Sequence, residues 1–125
     1  MKFYKCKNCG KVVTVLTDKV NPDADCNDDR QILEPFTTDG AREKHVPIVK
    51  RSKSRKFVTV TVGSVLHPME EKHYIEWIVL VTKEGTQIVH LHPGDKPRAR
   101  FLVRKADTVK EVYSYCNLHG LWRNK

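Results

Sequence analysis

Apolar and polar side chains alternate through Phe57-Val58-Thr59-Val60-Thr61-Val62, the period of a strand with one buried face. Tyr74-Ile75-Glu76-Trp77-Ile78-Val79-Leu80-Val81 is longer and more continuously apolar, as a central strand requires. Gln87 to Leu91, Ala99 to Val103 and Val109 to Cys116 add β-branched and aromatic runs. Gly85, Pro93-Gly94 and Pro97 punctuate them as turns. Helical periodicity is scarce, and Pro68 to Lys72 predicts one turn at most. Strand following strand from residue 45 onward predicts a mainly β protein, an immunoglobulin-like antiparallel sandwich rather than an α/β fold.

The first 36 residues read differently. Cys6-Lys7-Asn8-Cys9-Gly10 is a Cys-x-x-Cys closed by glycine, a turn that aims backbone N–H groups at thiolate sulfurs. Lys11 to Leu16 predicts a strand, and the turn-rich, acidic Asn21-Pro22-Asp23-Ala24-Asp25 leads to Cys26. A unit this small buries little core, so a metal or docking onto the larger body has to support it. The expected division is therefore a metal-knuckle unit over residues 1–36 and a β-sandwich over 37–125.

Composition narrows the classes. The apolar share of 39% suffices for a core. No apolar run approaches the roughly 18 residues of a membrane-spanning helix, so no membrane association is expected. Met1-Lys2-Phe3-Tyr4-Lys5-Cys6 has no apolar signal region, which points to a cytoplasmic address, where cysteines serve as thiolate ligands rather than disulfides. The net charge of +8 is uneven: residues 1–40 carry six Lys/Arg against seven Asp/Glu, and residues 41–125 carry seventeen against eight. Such a basic body suits nucleic acid or draws a small anion into a cleft. Recognition elements for nucleic acid are missing, and no nucleic-acid partner is expected. The dense run Lys50-Arg51-Ser52-Lys53-Ser54-Arg55-Lys56 reads as a solvated hairpin tip.

Three segments concentrate metal-binding chemistry. His45 follows Glu43-Lys44; His67 and His73 bracket Pro68-Met69-Glu70-Glu71-Lys72; Cys116 and His119 form a Cys-x-x-His closed by Gly120. His45 lies two residues before Pro47 and His67 directly before Pro68, where a proline biases its neighbour toward extended backbone. Loops at one end of a sandwich converge, so all three segments can serve one ion. A structural zinc site closes tetrahedrally with four ligands, and here there are five. Four imidazoles in a plane and an axial thiolate suit iron, with an open position opposite a sulfur that donates electron density. His90 and His92 lack matching partners and read as an ordinary strand edge.

These segments, Glu43-Lys44-His45-Val46-Pro47, His67 through Trp77, and Tyr115-Cys116-Asn117-Leu118-His119-Gly120-Leu121-Trp122, resemble the superoxide reductases. The resemblance covers essentially the whole chain and is greatest to the desulfoferrodoxins, in which a rubredoxin-like or desulforedoxin-like knuckle precedes the catalytic domain. It implies an iron centre (Fe2+/Fe3+) with His45, His67, His73 and His119 in the plane and Cys116 on the axis. Superoxide is then reduced by one electron to hydrogen peroxide. The resemblance further implies Glu43 as ligand to the resting ferric ion and Lys44 as the charge that attracts superoxide and assists proton delivery. Rubredoxin as electron donor and a homodimer are also what the family implies.

The knuckle departs from that pattern. Two-iron relatives carry four cysteines there, the last two adjacent, whereas this chain has Cys6, Cys9 and Asp25-Cys26. Three thiolates and a carboxylate can hold a second iron or zinc, and a vestigial unit without metal is the alternative. For the main site the alternative is an iron-binding electron-transfer or redox-sensing module that turns over no substrate.

Overall fold

The computed structural model describes residues 1–17, 19, 30–39 and 44–124. They fall into two compact units, Met1–Glu34 and Pro35–Lys125. In the first, β1 (Phe3–Cys6) pairs antiparallel with β2 (Val12–Thr14) on one side and β3 (Arg30–Leu33) on the other. The predicted strand over Lys11 to Leu16 is thus shorter than its apolar run. β1 and β3 were not legible as strands, because Lys5, Arg30 and Gln31 interrupt their apolar pattern.

The second unit holds two antiparallel sheets. Strands β4 (Pro47–Arg51), β5 (Phe57–Val62) and β8 (Arg98–Leu102) form one, in that order. Strands β6 (Ile75–Thr82), β7 (Thr86–His90), β9 (Val109–Cys116) and β10 (Gly120–Arg123) form the other, in the order β10-β9-β6-β7. The described residues contain no helix, and Pro68 to Lys72 is no exception: Glu70 and His73 exchange both backbone bonds across a tight turn.

The core is the inward faces of the two sheets. Val58, Val60 and Val62 are fully buried, while Phe57, Thr59 and Thr61 between them are half-exposed, as the alternation requires. Ile75, Ile78, Leu80, Phe101, Val112 and Cys116 belong to the same cluster. A bulge interrupts the β6–β9 ladder: Ile75 faces Cys116 but Trp77 faces Tyr115, so β6 advances two residues against one. The extra residue reverses the parity of β6. Ile75 can then face the core beside Cys116 while Ile78 and Leu80 also face inward.

The basic run of residues 50–56 is partly a tip and partly an anchor. Ser52 to Arg55 forms the turn, but Arg51 is half-buried and ends β4. Its guanidinium donates to the carbonyls of Asp107 (2.6 Å), Arg104 (2.9 Å) and Arg55 (2.8 Å). It therefore ties the hairpin tip to the loop before β9. Arg51→Ala is expected to cost about 1.5–3 kcal/mol, the range for hydrogen bonds from a charged donor. Urea unfolding monitored by tryptophan fluorescence measures it.

Candidate metal centre

Each ligand candidate sits where a strand of the sandwich begins or ends. His45 lies two residues before β4, His67 and His73 in the β5–β6 connection, Cys116 at the last position of β9 and His119 in the β9–β10 turn. That turn is three residues long, because Gly120 pairs with Cys116. Gly120 has φ +82°, the left-handed conformation that closes a three-residue hairpin. The glycine read from the sequence as permitting a tight backbone does so.

The four imidazoles form a closed ring of neighbours. Centroids are separated by 4.6 Å from His45 to His67, 4.7 Å to His73, 5.1 Å to His119 and 4.9 Å back to His45. A square with such sides has its centre roughly 3.4 Å from each centroid. An ion about 2.1 Å from a ring nitrogen lies roughly 3.2 Å from that ring's centroid, so the square fits one metal.

One distance separates square from tetrahedral geometry. Nε2 of His45 and Nδ1 of His119 are 3.1 Å apart. Two nitrogens at about 2.1 Å from one ion are roughly 3.0 Å apart at a right angle and roughly 3.4 Å apart at the tetrahedral angle. The donor atoms of His45, His73, Cys116 and His119 all lie within 4.8 Å of one another. The Cys116 sulfur is 3.8 Å from Nδ1 of His119. Cys116 is fully buried and packed in the core with Val62 and Ile75, whereas His119 is exposed. The thiol therefore enters from the core side of the histidine ring.

Neighbouring groups hold His67, His45 and His119 in place. Nδ1 of His67 lies 2.7 Å from the Pro68 carbonyl, so Nδ1 carries the proton and Nε2 the lone pair. The N–H groups of His45 and Val46 donate to Asp39 Oδ1 at 2.5 and 2.9 Å. The buried Ser114 hydroxyl donates to the His45 carbonyl at 3.1 Å. Trp122 stacks on the His45 ring (4.5 Å, 12°) and donates through Nε1 to the His119 carbonyl at 3.2 Å. Residue type and spacing give Asp39, Ser114 and Trp122 no role, since Ser114 and Trp122 reach His45 from strands far along the chain and Asp39 acts only on backbone N–H groups. Trp122 alone had a signal, its place two residues beyond Gly120.

Lys44 is half-buried beside His45. Glu43, Asp25 and Cys26 lie outside the described residues, so the expectations for them rest on sequence. In the N-terminal unit the Cys9 N–H donates to the Cys6 sulfur at 3.4 Å, and Gly10 has φ +74°. The Cys9 side chain, followed by backbone N–H groups of this turn, lowers the Cys6 thiol below its ordinary pKa. This is the knuckle geometry that Cys-x-x-Cys-Gly predicts.

Residues 37–125 match the family model described as Desulfoferrodoxin. The chain is 46% identical to a desulfoferrodoxin of Nitratidesulfovibrio vulgaris over 122 residues, 98% of this chain and 94% of that one. It is similar to the crystal structure of the superoxide reductase from Treponema pallidum, with a TM-score of 0.78 at 32% identity, covering 99% of this chain and 97% of the other. The one-iron superoxide reductase from Giardia intestinalis matches 66% of this chain and 96% of its own, with a TM-score of 0.55 and 41% identity.

Gly63 supports the segment that carries Lys44 and His45. Its φ is +89°, and a Cβ there would meet the carbonyl oxygens of Val65 at 2.3 Å and Lys44 at 2.4 Å. Gly94 has nearly the same φ, +90°, with nothing within 4 Å of a Cβ. Gly94→Ala is expected to cost roughly 1–2 kcal/mol, the strain of a left-handed residue. Gly63→Ala is expected to cost about 1–3 kcal/mol more, from overpacking against backbone. Paired thermal melts measure the difference, and equal losses would count against the contact.

Proposed function

This chain belongs to the desulfoferrodoxin family, and from that premise we propose that its C-terminal unit is a superoxide reductase. The observation that carries the reading is the closed ring of four imidazoles with Cys116 entering from the core side. The donor set is too large for a closed zinc tetrahedron, and it suits iron held by His45, His67, His73, His119 and Cys116. Bound iron supplies the single electron that, with two protons, converts superoxide to hydrogen peroxide.

The protein's own residues do the rest. Superoxide is an anion, and residues 41–125 carry seventeen cationic against eight acidic side chains, a field that steers it inward. Lys44, adjacent to His45, places a positive charge where the anion arrives and assists proton delivery through water. Cys116 would hold the iron through its thiolate, which would enrich the metal in electron density, and its burial keeps water from the sulfur. Glu43 would supply a carboxylate ligand to the iron in its oxidised state. A second iron or zinc on Cys6, Cys9, Cys26 and Asp25, rubredoxin as electron donor, a homodimer and a cytoplasmic site of action belong to the same proposal.

Purified protein is expected to hold one iron per chain at this centre and to show a visible thiolate-to-iron band that disappears in Cys116→Ser. Zinc at the centre when iron is supplied, together with no reaction toward superoxide, would overturn the reading. Cyanide or azide binding to the loaded protein separates an open reductase site from a closed electron-transfer centre. Lys44→Ala should retain iron yet react with superoxide roughly tenfold more slowly, with a flatter dependence on ionic strength. Pulse radiolysis at several salt concentrations measures both. In Glu43→Ala the ferric spectrum should change while the first encounter with superoxide keeps its rate.

A further inference from the structure

The carboxamide of Asn117 grips the main chain on both sides of a metal-site histidine. Its Oδ1 accepts the Tyr74 N–H at 3.0 Å, and its Nδ2 donates to the Lys72 carbonyl at 3.0 Å. The backbone N–H of Asn117 adds a third bond, to the Tyr74 carbonyl at 3.2 Å. Lys72 and Tyr74 flank His73, and Asn117 follows Cys116 directly. Regular pairing of β6 with β9 ends at Ile75 and Cys116, beside the bulge. Beyond that point these three bonds join the segment carrying His67 and His73 to the turn carrying Cys116 and His119.

The chemistry of the clasp selects asparagine. An amide N–H can only donate and a carbonyl can only accept, so the side chain must offer one acceptor and one donor side by side. An aspartate at this position would have no donor for the Lys72 carbonyl, and an aliphatic side chain would satisfy neither partner. The two partners also fix which way the carboxamide points. Asn117 is half-buried, so water competes only in part for these bonds.

We propose that Asn117 is a positioning residue. It sets the distance between His73 and the Cys116–His119 turn, and thereby how tightly and in what geometry the centre holds its metal. The proposal rests on the reading of the five side chains as iron ligands.

The test uses the iron-loaded protein and its Asn117→Ala and Asn117→Asp variants, with Arg51→Ala as a control for lost stability remote from the centre. Iron release to a chelator and the position of the thiolate-to-iron band are read in each. Both Asn117 variants are expected to release iron about 10–100-fold faster than the parent, as for removal of a group that orients metal ligands, and to shift the band. Asn117→Asp keeps the bond to Tyr74, so it reports on the clasp if the alanine variant does not fold. Arg51→Ala should melt earlier with its band unmoved. Parental release and an unmoved band in the Asn117 variants would overturn the proposal, as would release no faster than in Arg51→Ala. If those results came while Cys116→Ser abolished the band, the clasp alone would fail. An intact band in Cys116→Ser would instead remove the ligand reading beneath it.

Discussion

Strands β6 and β9 run antiparallel through the middle of the larger sheet, with Ile75 opposite Cys116. That pairing places the end of the β5–β6 connection, with His73, against the turn that carries Cys116 and His119. A slip of one residue would send every side chain of one strand to the other face, moving Cys116 out of the core. The bulge at Ile75 and Trp77 is part of the same constraint. Without the extra residue Ile75 and Ile78 could not both face inward, and Cys116 would lose its apolar neighbour.

The remaining ligand segment reaches the site by different means. His45 precedes β4 in the opposite sheet; its backbone is tied by Asp39 and by the Ser114 hydroxyl of β9, and its ring by the Trp122 ring of β10. The two sheets are thus stitched together at the end where the histidines converge. Gly63 leaves the Lys44–His45 backbone room to approach, which a side chain at that point would deny. Main-chain bonds and ring stacking orient the histidines, and at His67 the bond to the Pro68 carbonyl also selects the ligating nitrogen.

Much of the fold was legible because β-sandwich strands repeat a simple period. Phe57 to Val62 shows it directly, and the valines it marks as buried are fully so. Strand β4 was legible only as the strand-like stretch before the basic run, and it extends into that run through Lys50 and Arg51. Strand β10 escaped because Gly120 and Arg123 disguise it within only four residues. The 50–56 run read as solvated because composition cannot tell an exposed arginine from one whose donors are taken up by carbonyls. Only the fold brings the Asp107 and Arg104 carbonyls to Arg51.

The chain by itself singled out the candidate donors, their order and their surplus over four, because ligand chemistry is written in residue type and spacing. His45, His67, His73, Cys116 and His119 required no structure to be singled out. Tertiary structure decided how those residues are arranged: a ring of four imidazoles 4.6–5.1 Å apart between centroids, with a thiol held on the buried side. It also decided the parts that hold them, among them Trp122 against His45 and Asn117 around His73. The physical reason is range. A turn or a strand period is set by neighbours a few residues apart, whereas the contacts of Ser114, Asn117 and the Trp122 ring with the segments of His45 and His73 join residues separated by tens of positions and exist only once the sheets have paired.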